Sequence, residues 1–218
     1  MRTHSLPTIL LAAGIGLLSA CASSTRSSLD PAAEELRDEQ GWLRPSPALA
    51  SRIELRANEA EFVKTDVEFI ELYEWFCGVG EPAFPTLLDM AASESIKTRE
   101  VAFASIARLR DPRLLGPLKA RVQEPTTSEL SMRAAWGRAL LGMSDIEGVP
   151  AMVDAMELLP NANFRAHAYR ELIRHVTDNG IPFDPHGTEL ERSEGANKWR
   201  EWYRRMRTRM EPTSAGGA

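Results

Sequence analysis

Four segments of the chain align with one another without internal gaps, and their starts lie 30, 34 and 32 residues apart. The aligned segments cover residues 69–82, 99–112, 133–146 and 165–178. Positions 4, 8 and 11 recur as an apolar stripe, for example Ala102, Ile106 and Leu109 in the second segment. This is the spacing of one face of an α-helix, so each segment is predicted to form an amphipathic helix.

A second apolar stretch lies ahead of these helices and opens with a helix-start signal. Glu81-Pro82 precedes one such stretch, Asp111-Pro112 the next and Asp145 the third. An acidic residue before proline places a capping side chain ahead of a ring that fits the first helical position. The repeating unit is therefore two helices joined by a turn, in 30 to 34 residues. A pair of this size cannot bury its own apolar face, so successive pairs are predicted to stack.

The pattern of these segments resembles HEAT-like repeats of the short kind that also occur in proteins related to phycobilin lyases. In that family an arginine opens the second helix, small residues stand in its middle, and Leu, Gly, Asp and Pro stand at its end. The resemblance covers about residues 81–178 and begins more loosely at Pro47. It implies an all-α fold, a right-handed α-solenoid (superhelix) of about four HEAT-like helical hairpins with a C-terminal capping helix. A generic helical bundle is the alternative.

The resemblance also implies a structural role for charged residues at the two ends of the second helix. In HEAT-like proteins the opening arginine and the closing aspartate form a hydrogen-bonded ladder between repeats. The matching residues here are Arg99, Arg133 and Arg165, with Asp111 and Asp145.

The first residues resemble the processing signal of bacterial lipoproteins. A short basic start is followed at residues 9–18 by an apolar run that is too short to span a bilayer. The sequence Leu-Ser-Ala-Cys then ends at Cys21 and resembles a lipobox. The resemblance implies removal of a signal peptide, residues 1–20, and attachment of a diacylglyceryl group to the thiol of Cys21. An ordinary secretory signal that contains a cysteine is the alternative.

Lipidation predicts a membrane anchor, because two or more acyl chains give stable attachment where one gives only marginal binding. Position 22 is alanine rather than aspartate. By resemblance to bacterial lipoproteins, this favours the outer membrane over retention at the inner one. The chain is therefore expected in the cell envelope, lipid-anchored and facing the periplasm.

The predicted regions follow from these signals. They are a signal peptide at 1–20, a lipidated tether with a short helix at 21–46, a repeat domain at 47–178, a loop with a capping helix at 179–210 and a disordered tail at 211–218. A capping residue followed by proline predicts helices at 31–40 and 47–60. Near the other end, Trp199, Trp202 and Tyr203 are predicted to cover the last repeat, and an exposed aromatic binding site is the alternative.

Patterns typical of catalysis do not occur in the sequence. It contains no glycine-rich phosphate loop, no nucleophile elbow and no His-Glu-x-x-His motif. His167 and His175 lie on one predicted helix, about 12 Å apart by helical rise, which is too far for one metal ion. Cys77 stands among aromatic residues and is predicted to be a buried structural thiol. The sequence thus predicts no catalytic residue, no cofactor and no metal site, and a protein that is not an enzyme.

Four arginines at positions 6 and 10 of the aligned segments point away from the apolar stripe. They are Arg108, Arg138, Arg170 and Arg174. In HEAT-like stacks the second helix lines the concave side, so these residues would form a basic track that pairs with carboxylates or phosphates of a partner. Ordinary solvated charges on a helix face are the alternative.

The predicted role is a non-catalytic scaffold that holds a protein partner, because repeat surfaces of this kind are extended and have no built-in chemistry. The net charge of −5 argues against bulk attraction to nucleic acid. One alternative is a ligand-handling protein, since the related lyases handle a tetrapyrrole. Another is a structural linker in the envelope, in which the basic C-terminal half contacts an acidic polymer.

Overall fold

The computed structural model describes residues 36–176 and 180–210, which form nine α-helices and no β-strand. The helices are α1 (Pro47–Glu59), α2 (Asp66–Val79), α3 (Phe84–Ala91), α4 (Ile96–Leu109), α5 (Leu115–Arg121), α6 (Leu130–Gly142), α7 (Val149–Leu158), α8 (Ala162–His175) and α9 (Glu189–Met210). Short 3-10 turns lie at Ala60–Phe62, Glu81–Ala83, Pro112–Leu114, Thr127–Glu129 and Ile146–Gly148. The all-helical prediction is confirmed for this part of the chain.

Capping side chains define where several helices begin. The Ser46 hydroxyl accepts a hydrogen bond from the backbone N–H of Leu49 at the start of α1. Thr65 and Glu68 form a reciprocal capping box at the start of α2. Asp111 and Asp145 each accept a backbone N–H two residues ahead, but they open 3-10 turns, and the following α-helices begin after those turns. These side chains satisfy backbone donors that a helix N-terminus leaves unpaired.

The even-numbered helices pack side by side in chain order. Helix α2 contacts α4, α4 contacts α6 and α6 contacts α8. Among the odd-numbered helices, α1 contacts α3, α3 contacts α5 and α7 contacts α9. The four aligned segments begin inside the even-numbered helices, so equivalent positions of the repeat lie on neighbouring helices.

The apolar stripe predicted from the repeat forms much of the core. Positions 4 and 8 of all four segments are buried: Leu72, Phe76, Ala102, Ile106, Trp136, Leu140, Ala168 and Leu172. The buried residues fall into two hydrophobic clusters. The first cluster extends from Trp42 to Ala151, and the second cluster extends from Leu141 to Trp202.

Helix α9 is held against α7 by aromatic and charged contacts. Trp199 and Trp202 are buried in the second cluster, as the sequence predicts. The Tyr203 hydroxyl donates to Glu147 Oε2 at 2.7 Å. Arg200 Nη2 lies 3.0 Å from Asp154 Oδ1 on α7. The contacts of these four side chains fix the position of α9 on the repeat region.

The segment before α1 differs from its prediction. Residues 36–40 are not helical, and residues 31–35 lie outside the described part of the chain. The Asp38 carboxylate accepts from the backbone N–H of Gln40 and of Trp42, and Gly41 adopts a φ of 82°. An aspartate that binds nearby N–H groups competes with a helix, and a left-handed glycine lets the chain turn back. The prediction of a helix through residue 40 is therefore wrong.

The arginines that open the aligned segments bind the connections between helix pairs. Arg99 Nη2 lies 3.2 Å from Glu129 Oε1, which belongs to the turn before α6. Arg133 Nη1 donates to the carbonyl oxygen of Pro125 at 2.8 Å. Arg165 likewise donates to carbonyl oxygens of the chain just before α8.

The closing aspartates pair with other residues. Asp111 Oδ2 lies 2.6 Å from Arg113 Nη2, and Asp145 pairs with Lys119 of α5. Positions 1 and 13 of a helical segment lie about 18 Å apart by helical rise, so each residue finds a partner at its own end. The predicted ladder of opening arginines and closing aspartates is therefore wrong.

Candidate binding site

One cleft collects charged side chains from all four even-numbered helices. It has a volume of about 290 Å³. We call it the basic cleft; its charged residues are Glu74 of α2, Arg108 and Arg110 at the end of α4, Arg138 of α6, and Glu171 and Arg174 of α8. Phe69, Tyr73 and His175 also line it. With four arginines and two glutamates, it can bind a negatively charged group.

Three of the four arginines predicted to form a basic track meet in this cleft. Arg108, Arg138 and Arg174 line it together. Arg170 lies on α8, one turn before Arg174, and it is exposed outside the cleft lining. The two arginines lie on about the same face of α8 but about 6 Å apart by helical rise, and the cleft does not extend to Arg170.

Two cleft residues were missed by the sequence prediction. Glu74 occupies position 6 of the first segment, the position of Arg138 in the third, so the repeat register could have placed it there. Arg110 follows the last residue of α4 and adopts a left-handed φ of 55°, which turns the chain at the helix end. The periodicity of α4 does not extend to that residue and therefore gave no signal for it.

The charges in the cleft are only partly neutralised. Glu171 is buried, and its Oε1 accepts from Arg174 Nη1 at 2.6 Å. Arg108, Arg110 and Arg138 form no ion pair with any residue of the described chain. These three guanidinium groups therefore remain available to an acidic ligand.

Histidine and cysteine side chains near the cleft are not charged at neutral pH. Burial, followed by the charge of Arg110, lowers the pKa of His175, so its imidazole is neutral. Burial raises the pKa of the Cys77 thiol, and the thiol donates a weak hydrogen bond to the carbonyl oxygen of Ser105 at 3.7 Å. A thiol with a raised pKa is a poor nucleophile. Cys77 is only partly buried, so the prediction of a buried thiol is met in part.

No candidate metal site is found within residues 36–176 and 180–210. No group of three His, Cys, Asp or Glu side chains there is arranged to hold a metal ion. In the same residues, no helix is both long enough and apolar enough to cross a membrane. Cys21, the signal peptide at 1–20 and the tail at 211–218 lie outside the described residues.

Comparison of the chain with protein-family models, with curated proteins and with solved structures finds no match.

Proposed function

We propose that this protein is a non-catalytic binding module that captures an acidic segment of a protein partner in its basic cleft. The observation that carries the proposal is the set of guanidinium groups without ion pairs in a cleft shared by four helices. Arginine side chains bind carboxylates through two parallel hydrogen bonds, which gives both affinity and orientation. A partner that presents aspartate or glutamate side chains to the cleft fits this arrangement.

We further propose that the helices form a right-handed α-solenoid of four HEAT-like hairpins, α1–α2, α3–α4, α5–α6 and α7–α8, with α9 as a cap. The sequential contacts of the even-numbered helices support this architecture. Solenoids of stacked hairpins present extended surfaces to partners. The step from this architecture to a scaffold role rests on analogy. The positive charge of the cleft indicates which kind of partner it would hold, namely an acidic one.

We propose that Cys21 carries a lipid and tethers the binding module to the outer membrane, facing the periplasm. The support is the lipobox-like sequence that ends at Cys21. Metabolic labelling with an alkyne-bearing fatty acid tests it: the full chain should be labelled, and a Cys21→Ser chain should not. Labelling of the Cys21→Ser chain would contradict attachment at this residue.

The cleft itself is tested by a charge reversal with a matched control. Arg108→Glu places a carboxylate in the basic cleft, whereas Arg170→Glu makes the same change at an exposed arginine outside it. Both chains are used for crosslinked capture from the native envelope, with identification by mass spectrometry. A partner that is recovered with Arg170→Glu and lost with Arg108→Glu supports the proposal. A partner that is retained by both variants contradicts binding in the cleft.

A further inference from the structure

A second cavity shares one residue, Arg138, with the basic cleft and is otherwise lined by different side chains. Its volume is about 270 Å³, and its wall is mostly apolar. We call it the apolar cavity; its apolar residues are Ala134 and Ala135 of α6, Met152 of α7, Leu159 after α7, and Phe164 and Ala168 of α8. Phe164 is 63% exposed, so its ring is accessible at the mouth of the cavity.

Arg138 lines this cavity as well as the basic cleft. Its Nε atom is buried and has no hydrogen-bond partner in the described chain. Glu171, whose charge acts on Arg138, accepts a hydrogen bond from Arg174 instead. A buried donor without a partner costs free energy, and an arginine keeps its positive charge at any physiological pH. Arg138 therefore brings to the cavity a guanidinium group that keeps its positive charge and has one unpaired donor.

The other polar residues of the cavity are Glu100, Ser131 and His167. Glu100 lies at its edge, and its Oε2 accepts from Lys97 Nζ at 3.2 Å, which compensates its charge. Burial lowers the pKa of His167, so this side chain is neutral at pH 7 and can donate or accept a hydrogen bond. Arg138 is thus the cationic group that lines the cavity, and Lys97 partly offsets the negative charge of Glu100.

We propose that the apolar cavity binds a small carboxylic acid with an apolar body. The carboxylate accepts hydrogen bonds from the Arg138 guanidinium, and the hydrocarbon body contacts Met152, Leu159 and Phe164. The volume lies just below the range of about 300–1,000 Å³ that is usual for ligand pockets, so a short acyl chain fits better than a tetrapyrrole. The site shares Arg138 with the basic cleft, but binding of a small acid in the cavity does not require a protein partner.

Calorimetric titration of the full chain with octanoate tests the site, with octanamide as a neutral ligand of the same shape. Octanoate should bind at least ten times more tightly than octanamide, because only the carboxylate pairs with Arg138. Equal affinity for the two ligands would contradict the role of Arg138. Absence of octanoate binding would overturn the site as a whole.

Two variants test separately how Arg138 and the apolar wall contribute to octanoate binding. Arg138→Met should weaken octanoate binding at least tenfold, and Arg52→Met, at an exposed arginine of α1, should leave it unchanged. Phe164→Ser removes an exposed side chain, so the chain should fold normally and bind octanoate several times more weakly. Leu190→Ser on α9 is its control, because Leu190 is equally exposed and does not line the cavity. Unchanged octanoate affinity in both Arg138→Met and Phe164→Ser would contradict the proposal.

Discussion

Arg165 and Arg138 lie on neighbouring even-numbered helices but differ in what their guanidinium groups contact. Arg165 is 7% exposed and donates to the carbonyl oxygens of Leu159 at 2.6 Å, of Pro160 at 2.8 Å and of Pro185 at 2.8 Å. Arg138 has a buried donor with no such partner. The first side chain therefore ties two loops to α8, whereas the second places a charge in a partly desolvated position, with the charge of Glu171 acting on it but no ion pair.

We expect Arg165→Met to lower the free energy of unfolding by about 3 kcal/mol, because three carbonyl oxygens lose their donor. Arg99→Met is the matched control at the same repeat position. Arg99 pairs with a partly exposed Glu129, so its replacement should cost less than about 1 kcal/mol. Urea unfolding of both variants measures the difference, and equal losses would contradict this account of Arg165.

We expect Arg138→Met to unfold at a higher temperature than the unchanged chain. Methionine keeps the apolar stem and removes the unpartnered charge, which should add about 1 kcal/mol of stability. Calorimetric melting of the ligand-free chain measures the shift. A lower melting temperature would show that the guanidinium has a stabilising contact that the structure does not contain.

At the scale of elements, α6 and the turn before α7 meet backbone to backbone. A Cβ atom on Gly137 would lie 2.8 Å from the carbonyl oxygen of Gly148 and 2.9 Å from the Cβ atom of Ala151. Glycine at position 137 therefore allows an approach that a side chain would prevent. This contact fixes how the third aligned segment joins the helix that follows it.

Gly137→Ala should therefore lower the free energy of unfolding by about 2 kcal/mol, because the added methyl group forces neighbouring backbone apart. Gly116→Ala on α5 is the control: nothing lies within 4 Å of its Cβ position, so a gain of about 0.5 kcal/mol is expected. Urea unfolding distinguishes the two effects. A higher free energy of unfolding in both variants would contradict the prediction, because it would show that α6 moves to accept the methyl group without loss of stability.

The elements show which parts of the fold the sequence could predict. The repeat register placed α2, α4, α6 and α8, and the apolar stripe identified residues such as Phe76 and Leu140 as core. Helix starts followed from capping residues such as Ser46. The turn at Asp38 was missed because the start signal at Asp30-Pro31 predicted a helix that continues through it. The partner of Asp111 lies outside any periodic pattern.

On the scale of the whole molecule, the candidate sites depend on how the helices pack. Helical spacing brought Arg108, Arg138 and Arg174 to one face, and this much could be predicted. The apolar cavity could not, because its wall includes Leu159 and Phe164, which lie outside the repeated stripe. A cavity forms between packed helices, so the pattern of any single helix does not predict it.

Because Tyr203 helps to attach α9, the free energy of unfolding should fall as the pH rises in the alkaline range. Burial and the hydrogen bond to Glu147 raise the pKa of Tyr203 to about 12, from an ordinary value of about 10. The neutral phenol is favoured in the folded chain, so its contribution is complete below pH 10 and is lost as the pH rises through 12. A Tyr203→Phe chain should lack this part of the loss in urea unfolding at pH 9 to 12. Identical pH profiles of the two chains would contradict the assignment.

The division of the core into two clusters has a consequence for cooperativity. Trp42 and Trp136 belong to the first cluster, and Trp199 and Trp202 belong to the second. In the proposed solenoid each hairpin is stabilised mainly by its neighbours, so opening is expected to start at an end. Detachment of α9 would expose the indoles of Trp199 and Trp202 to solvent, while those of Trp42 and Trp136 would stay buried. The emission of Trp199 and Trp202 is therefore expected to report fraying from the C-terminal end, separately from unfolding of the whole chain.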